Sequence, residues 1–453
     1  MQKLLLYKAI AVLGLVLLII VPISFIRDVV QERQERQAET VNDISSSYAG
    51  AQTIVGPILV VPYTNEYVEK ELDEKGNVKK LTPRRIERRL LYFPRTLNID
   101  GALDTDFKHR GLFRVLVYDW QAKVSGAFDL PAKPAFERDR DDSRVVVGHP
   151  FIIISVEDLR GLLRQPTAEV NGKPVTFEQG SNVEGLPNSI HAAIADLPIG
   201  EAKTISFSMD LALRGTEKLG VVPSADTTHV KLRSTWPHPN FGGRFLPDPR
   251  TQHISEDGFS SQWNVTSLAT NAQQQLRVAA AGAKECGKTV CADELKVHLV
   301  EPVNIYTQSD RATKYGFLFV GLTFGAFFLF ELMKRLAIHP AQYVLVGLAL
   351  AIFFLLLVSL SEHLEFWIAY LSAASACVGL LAFYLSYVLR STYRGIGFGC
   401  GLSVLFGALY GLLISEDNAL VLGSLLLFAV LAGTMIVTRK IDWYRLSDVR
   451  AEA

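Results

Sequence analysis

The chain has 453 residues, with 46 Lys and Arg balanced by 46 Asp and Glu, and 49% of it is hydrophobic. Neutrality excludes a nucleic-acid binder that works by a basic excess, since counterions must be displaced from phosphates, and four cysteines exclude a disulfide-dense scaffold. A mean hydropathy of +0.21 is high for a soluble chain that is 20% charged, and the excess is localised: residues 315–453 are nearly continuous apolar runs, whereas residues 27–314 hold 17 of the 19 prolines and most of the charge.

Residues 9–26 form an uncharged run of 18, which as a helix rising ~1.5 Å per residue nearly crosses a hydrocarbon core of ~30 Å. It is long for a signal-peptide core, and the following Arg27-Asp28-Val29-Val30-Gln31-Glu32 carries no A-x-A-like cleavage site. Residues 1–26 therefore read as an uncleaved transmembrane anchor. Residues 27–47 read as a polar stalk helix: Glu32 and Arg36 stand at i,i+4, and the apolar a and d positions of a coiled coil are missing.

Residues 48–314 carry strand signals. Ile205, Phe207, Met209, Leu211 and Leu213 alternate with Ser206, Ser208, Asp210, Ala212 and Arg214, the period-2 pattern of a sheet with one buried face. Asp100-Gly101, Asn171-Gly172 and Asp257-Gly258 mark hairpin turns. Continuous runs at Val145-Val146-Val147 and Phe151-Ile152-Ile153-Ile154 suit strands buried on both faces. The expectation is a mostly antiparallel, β-sandwich-like domain, with a short helix near residues 157–164 and room for two subdomains.

Five more spans are expected in residues 315–438, at 315–333, 343–361, 366–389, 395–415 and 419–438, with a tail at 439–453. Placing the N-terminus in the cytoplasm puts Lys3, Lys8, Lys334, Arg335, Arg390, Arg394, Arg439, Lys440, Arg445 and Arg450 on the cytoplasmic side. The opposite short loops, 362–365 and 416–418, contain no Lys or Arg. This asymmetry orients the chain with both termini cytoplasmic and residues 27–314 exported.

No motif carries catalytic chemistry. Gly282-Ala283-Lys284-Glu285-Cys286-Gly287-Lys288-Thr289 fits the phosphate-loop pattern but lies outside the cytoplasm and leads into a strand-like segment, not a helix. Its cysteines suggest a different chemistry: Cys286 and Cys291 in an oxidising compartment could form a short disulfide, remain reduced, or bind a metal, the disulfide being the leading expectation. Cys377 and Cys400 read as small packing residues. His229, His238 and His253 match no tight ligand spacing, so no metal is assigned. The basic stretch containing Arg84 and Arg85, compensated locally by Glu87 alone, reads as a solvated strand face, with the grip of an anionic envelope polymer or headgroup as the alternative. In the membrane part, Glu331 lies a turn from Lys334 and Arg335, while Glu362 and His363 sit at the outer interface. The last three spans have no ionisable interior; they have Gly395, Gly397, Gly399, Gly401, Gly407 and Gly411 at small-xxx-small spacing, read as a tightly packed bundle.

Several segments together resemble the CreD family of inner membrane proteins, linked to cell-envelope integrity. They are His109-Arg110-Gly111-Leu112-Phe113 with Val117-Tyr118, Gly215-Thr216-Glu217, Ser234 to Phe241 with Gly243, Phe245, Leu246 and Pro247, and Gly258-Phe259 with Trp263. The membrane part adds Lys314-Tyr315-Gly316, Phe330-Glu331, Ile338-His339-Pro340 with Gln342-Tyr343, and Ser359 to His363. The resemblance implies a multi-pass protein in the inner membrane of a Gram-negative bacterium, stress-responsive within a two-component regulon, with no known catalytic residue and no cofactor. Within it, Trp236-Pro237-His238-Pro239 is either a stiff extended connection or a recognition surface; Arg84, Arg85, Trp236, His238 and Trp263 are the candidate surface. The leading functional expectation is a non-enzymatic protein whose periplasmic β domain binds an envelope component or partner protein, with membrane lipids around the helices. The alternatives are a transporter or lipid-handling protein using the C-terminal bundle and, third, an envelope-polymer enzyme.

Overall fold

A computed structural model describes residues 2–72, 78–181, 183–186, 188–194, 197, 199–282, 292–301, 305–334, 338–415 and 418–439. The chain divides into two compact units, Met1–Ala38 with Val303–Ala453, and Glu39–Pro302. Helix α1, Gln2–Ser47, is continuous through its apolar and polar halves, with Pro22 inside it.

The second unit holds seventeen strands among the described residues. In chain order they are β1 Gln52–Leu72, β2 Val78–Tyr92, β3 Thr96–Arg110, β4 Phe113–Leu130, β5 Arg144–Val147, β6 Phe151–Val156, β7 Thr167–Val170, β8 Lys173–Val175 and β9 Glu178–Gln179. They continue with β10 Ser189–Ala193, β11 Lys203–Thr216, β12 Lys218–Val221, β13 Thr227–Ser234, β14 Pro239–Gly243, β15 His253–Ser255, β16 Gly258–Thr266 and β17 Leu295–Leu299. One sheet runs β14-β17-β12-β1-β6-β10-β9, with β2 and β5 also on β1; the other runs β15-β16-β13-β3-β4-β11-β7-β8. Both sheets feed one apolar cluster, to which the first gives Ile54, Leu59, Ile152 and Ile154 and the second Leu97, Ile99, Trp120, Phe128, Leu211 and Trp263. Each such side chain, once fully buried, contributes ~1.5–3 kcal/mol.

The pairing is mostly antiparallel, as expected, but the sheets are mixed, with two parallel pairs. β13 runs parallel to β3, pairing Thr227 with Thr96 through Ser234 with Leu103, and β12 runs parallel to β1. Alternating burial reports which face of a strand is covered and is silent on the direction of its neighbour; parallel partners need a long crossover, here the whole stretch from Arg110 to Thr227. Asp100-Gly101 is not a turn. Gly101 lies within β3, where an added Cβ would stand 2.3 Å from Nε1 of Trp120, so the glycine makes room for an indole. Asn171-Gly172 does turn between β7 and β8 with both φ positive, and Glu256-Asp257 precedes Gly258 in the β15–β16 turn. Val146 and Val147 are each 40% exposed on β5, because nothing among the described residues covers that part of the sheet. Residues 159–161 form one 3-10 turn instead of a helix.

Helix α2, Ala272–Ala280, places Ala272 and Leu276 against Val55, Ile58 and Val60, so β1 is covered on both faces. The end of α1 contributes too: Ile44 packs on Val115 and Val117 of β4.

The first unit adds α3 Ile305–Lys334, α4 Pro340–Ser361, α5 Phe366–Val388, α6 Thr392–Ile414 and α7 Ala419–Thr438. With α1 they make six helices, among the described residues, long and apolar enough to cross a membrane. Their core is aromatic. Phe353 meets Phe354 at 4.9 Å and Phe406 at 4.6 Å, all edge to face, the geometry the ring quadrupole favours. Ile19 and Ile23 of α1 are buried in the same cluster. α7 stays at the periphery, with Leu420 87% exposed.

Candidate functional site

Three arginines of the basic strand are paired with acids outside it. Arg84 Nε lies 2.8 Å from Glu69 Oε2, and Arg85 Nε lies 3.0 Å from Glu66 Oε1, both acids on β1. Arg88 bridges Glu137 at 2.9 Å and Asp139 at 2.5 Å. The charged loop at 137–144 thus supplies counter-charges to β2. Asp139 is held below the usual carboxylate range, first by the hydrogen bond from Arg88 and then by that from Asn65.

Trp236 and His238, in the segment between β13 and β14, join residues from two other places to form an aromatic ledge. The indole meets Phe107 at 5.9 Å and 70° and His238 at 5.9 Å and 84°. Its Nε1 donates to the Val300 carbonyl at 3.1 Å. The Arg114 guanidinium covers the other ring, 4.8 Å from the Phe107 centroid, and pairs with Glu301. His238 is exposed and Trp236 half-buried, so the ledge presents rings to solvent with a cation at its edge. Such a surface suits sugar rings, aliphatic chains or aromatic side chains. Trp263 is elsewhere. It is 1% exposed, stacks edge to face with Phe241 at 5.6 Å, and donates to the Phe245 carbonyl, so it is a core residue.

His229 bonds Asn264 through Nδ1 at 2.6 Å, and no group of three or more His, Cys, Asp and Glu is poised for a metal among the described residues. Cys286, Cys291 and most of the phosphate-loop-like segment lie outside the described residues.

In the helical unit, Glu331 of α3 is 4% exposed and accepts from Tyr343 Oη at 2.8 Å and from the Ile338 amide at 2.9 Å. Next to it, His339 Nδ1 accepts from the Ala341 amide while Gln342 accepts from the His339 amide, a capping box closed by Pro340 at the first helical position. The segment Ile338 to Tyr343 and Glu331 therefore form one knot that starts α4. At the other end of α4, Glu362 lies 3.4 Å from Arg33 of α1 and 3.4 Å from Tyr306 Oη of α3, joining the end of α4 and the start of α3 to the interior of α1. His363 is exposed.

Sequence reasoning passed over one feature. The glycines of α6 divide between two faces: a Cβ on Gly395 or Gly399 would strike Ser386 at 2.1 Å or Ala382 at 2.9 Å on α5, whereas on Gly397, Gly401, Gly407 or Gly411 it would meet nothing within 4 Å. Gly397 and Gly401 border a crevice of about 430 Å³ between α3, α6 and α7. Arg394 is the one charged residue in its lining. The spacing of two interleaved glycine pairs, each pair four apart, with an arginine one turn before them, was the available signal.

Comparison with known proteins matches residues 4–444 to the family described as "CreD: Inner membrane protein CreD". The chain is 35% identical over 451 residues to the inner membrane protein CreD of Escherichia coli strain K12, across 99% of this chain and 95% of that protein. Among solved structures, the M1 zinc metallopeptidase of Deinococcus radiodurans aligns with a TM-score of 0.21 and 10% identity, over 46% of this chain and 42% of that one. A point mutant of an M1 zinc metallopeptidase from the same organism gives a TM-score of 0.23 and 8% identity over the same shares. This chain thus spans less than half the length of those enzymes, a likeness too slight to bear on fold or activity.

Proposed function

The chain belongs to the CreD family of inner membrane proteins, and from that premise we propose that it serves cell-envelope integrity without catalysis, as part of a stress-responsive regulon. In this reading the strand-rich unit stands in the periplasm, both termini are cytoplasmic, and the ledge of Phe107, Trp236 and His238 engages an envelope component or partner protein. The orientation is supported by ten Lys and Arg on one side of the spans against none in the short loops opposite. The observation that carries the binding reading is the ledge itself: three rings from two segments, His238 exposed and Phe107 and Trp236 half-buried, with the indole oriented by its bond to Val300. Tryptophan and phenylalanine beside an arginine are the composition of binding hot spots. Arg84 and Arg85, being ion-paired, form the control surface.

The test is photocrosslinking in cells of the full chain, with a photoreactive residue at His238 or at Arg85. A discrete adduct from His238 that is missing from Arg85, and lost on Trp236→Ala, supports the reading. Equal capture at both positions, or none from His238 in protein that reaches the membrane, refutes it. Alkaline phosphatase inserted at Leu246 tests the orientation separately; an inactive fusion there reverses it.

A further inference from the structure

We propose that the crevice between α3, α6 and α7 holds an acyl chain of one anionic phospholipid, whose phosphate is gripped by Arg394 and the first turn of α6. The walls are Leu322, Ala326 and Phe330 of α3 and Phe398 and Leu402 of α6, with Val430 of α7 closing one side. The stretch of α6 from Arg394 to Leu405, twelve residues, runs along it, which is ~16 Å of helix at 1.5 Å per residue. Its size falls in the ~300–1,000 Å³ range of ligand pockets. The crevice is therefore long, apolar and charged at one end.

The charge identifies the occupant. Arg394 has no carboxylate partner among the described residues; its one described contact is a 3.5 Å bond from Nη1 to the Leu389 carbonyl. It stands in the first turn of α6, whose N-cap, Ser391, makes no side-chain capping bond. The first amides of that helix and the guanidinium together present an anion site, and Arg matches phosphate oxygens in bidentate geometry. A second copy of the chain fits poorly, because the acids described within these helices are engaged: Asp310 with Lys314 and Arg27, and Glu331 with Tyr343. Gly397 and Gly401 complete the case, since open space faces them where side chains would narrow the crevice. The inference concerns the helices alone and does not depend on the periplasmic ledge.

The experiment uses the full chain in nanodiscs containing phosphatidylglycerol or phosphatidylcholine with a diazirine on the acyl chain. After irradiation, adducts are mapped by peptide mass spectrometry. The expected result is labelling concentrated on residues 322–330 and 397–405, with phosphatidylglycerol favoured about tenfold, because both lipids offer a phosphate but only phosphatidylglycerol brings a net negative charge to Arg394, the choline cation neutralising the other. Arg394→Gln removes that preference and Arg394→Lys keeps part of it, while Gly401→Leu lowers labelling in the crevice by both lipids and leaves labelling on α5 unchanged. Even labelling of every lipid-exposed helix face, a preference that survives Arg394→Gln, or crosslinks from the crevice to a second copy or to residues 440–453 would overturn the proposal.

Discussion

The two faces of α6 make a quantitative prediction from a pair of glycine-to-alanine substitutions. In an ordinary helix interior, Gly→Ala stabilises by ~0.8–1 kcal/mol. At Gly401 the new methyl meets nothing within 4 Å, so that gain stands and the variant should be more stable than wild type by ~0.5–1 kcal/mol. At Gly395 the methyl would lie 2.1 Å from Ser386 Oγ and 2.7 Å from both Ser386 Cα and N. The hydroxyl can rotate; the backbone cannot, and carbon contacts are optimal only near ~3.5–4.0 Å. Separating α5 from α6 by that shortfall costs ~1–3 kcal/mol, which leaves Gly395→Ala destabilised by up to ~2 kcal/mol once the propensity gain is subtracted. Gly399→Ala, with a single contact at 2.9 Å, falls between. The assay is reversible unfolding of the purified full chain by SDS in mixed micelles, with midpoints compared for the three variants. The order Gly401→Ala above wild type above Gly399→Ala above Gly395→Ala is expected. If Gly395→Ala unfolds with Gly401→Ala, the packing of α5 on α6 described above is wrong.

Three further outcomes follow from residues outside that contact. Gly101→Ala should lower the melting temperature of the strand-rich unit, because the methyl would enter the Trp120 indole and overpacking costs ~1–3 kcal/mol; calorimetry showing an unchanged transition would contradict it. Glu331→Ala leaves the Tyr343 hydroxyl and the Ile338 amide without this acceptor, at ~1–3 kcal/mol for each buried group, whereas Glu331→Gln retains an acceptor oxygen and should cost less, and SDS unfolding separates the two. Asp139, with its carboxyl held low by Arg88 and Asn65, binds protons less readily folded than unfolded, where its pKa is about 3.9. Its stabilisation is therefore complete above that value and disappears as the pH falls through the depressed folded value. Thermal melts of wild type and Asp139→Asn should differ at pH 7 and converge as the pH falls below the unfolded carboxylate range and through the depressed folded value; a gap that persists in acid would mean that the carboxylate charge is not what Arg88 and Asn65 stabilise.

What could be read from the sequence was what depends on nearest neighbours in the chain. Hydropathy located the spans, and period-2 alternation identified the buried residues of β11, Ile205 through Leu213. What depends on distant partners was invisible. The parallel pairing of β3 with β13 joins segments more than a hundred residues apart, and Asp100-Gly101 mimics a turn because local chemistry cannot reveal a tryptophan arriving from the next strand. The same limit made Arg84 and Arg85 look uncompensated: Glu87 is beside them in sequence, but Glu66 and Glu69 face them across the hairpin.

That limit also explains which resembling segments point to function. Many have a structural reason once their partners are seen. An added Cβ on Gly215 would stand 2.5 Å from Tyr118 Oη, which itself bonds the Lys218 carbonyl, so Val117-Tyr118 and Gly215-Thr216-Glu217 are two halves of one contact. Ile338 to Tyr343 and Glu331 start a helix, and Glu362 ties the end of α4 and the start of α3 to α1. Trp263 fills the core. Two features are left over after this sorting. His238 is exposed beside a Trp236 that is only partly buried against the core, and Arg394, besides its place among the basic residues that flank the spans on one side, sets a charge at the end of an apolar crevice. The solvent-facing edge of the half-buried Trp236 and the Arg394 guanidinium, which has no carboxylate partner among the described residues, are the features that an external partner would use.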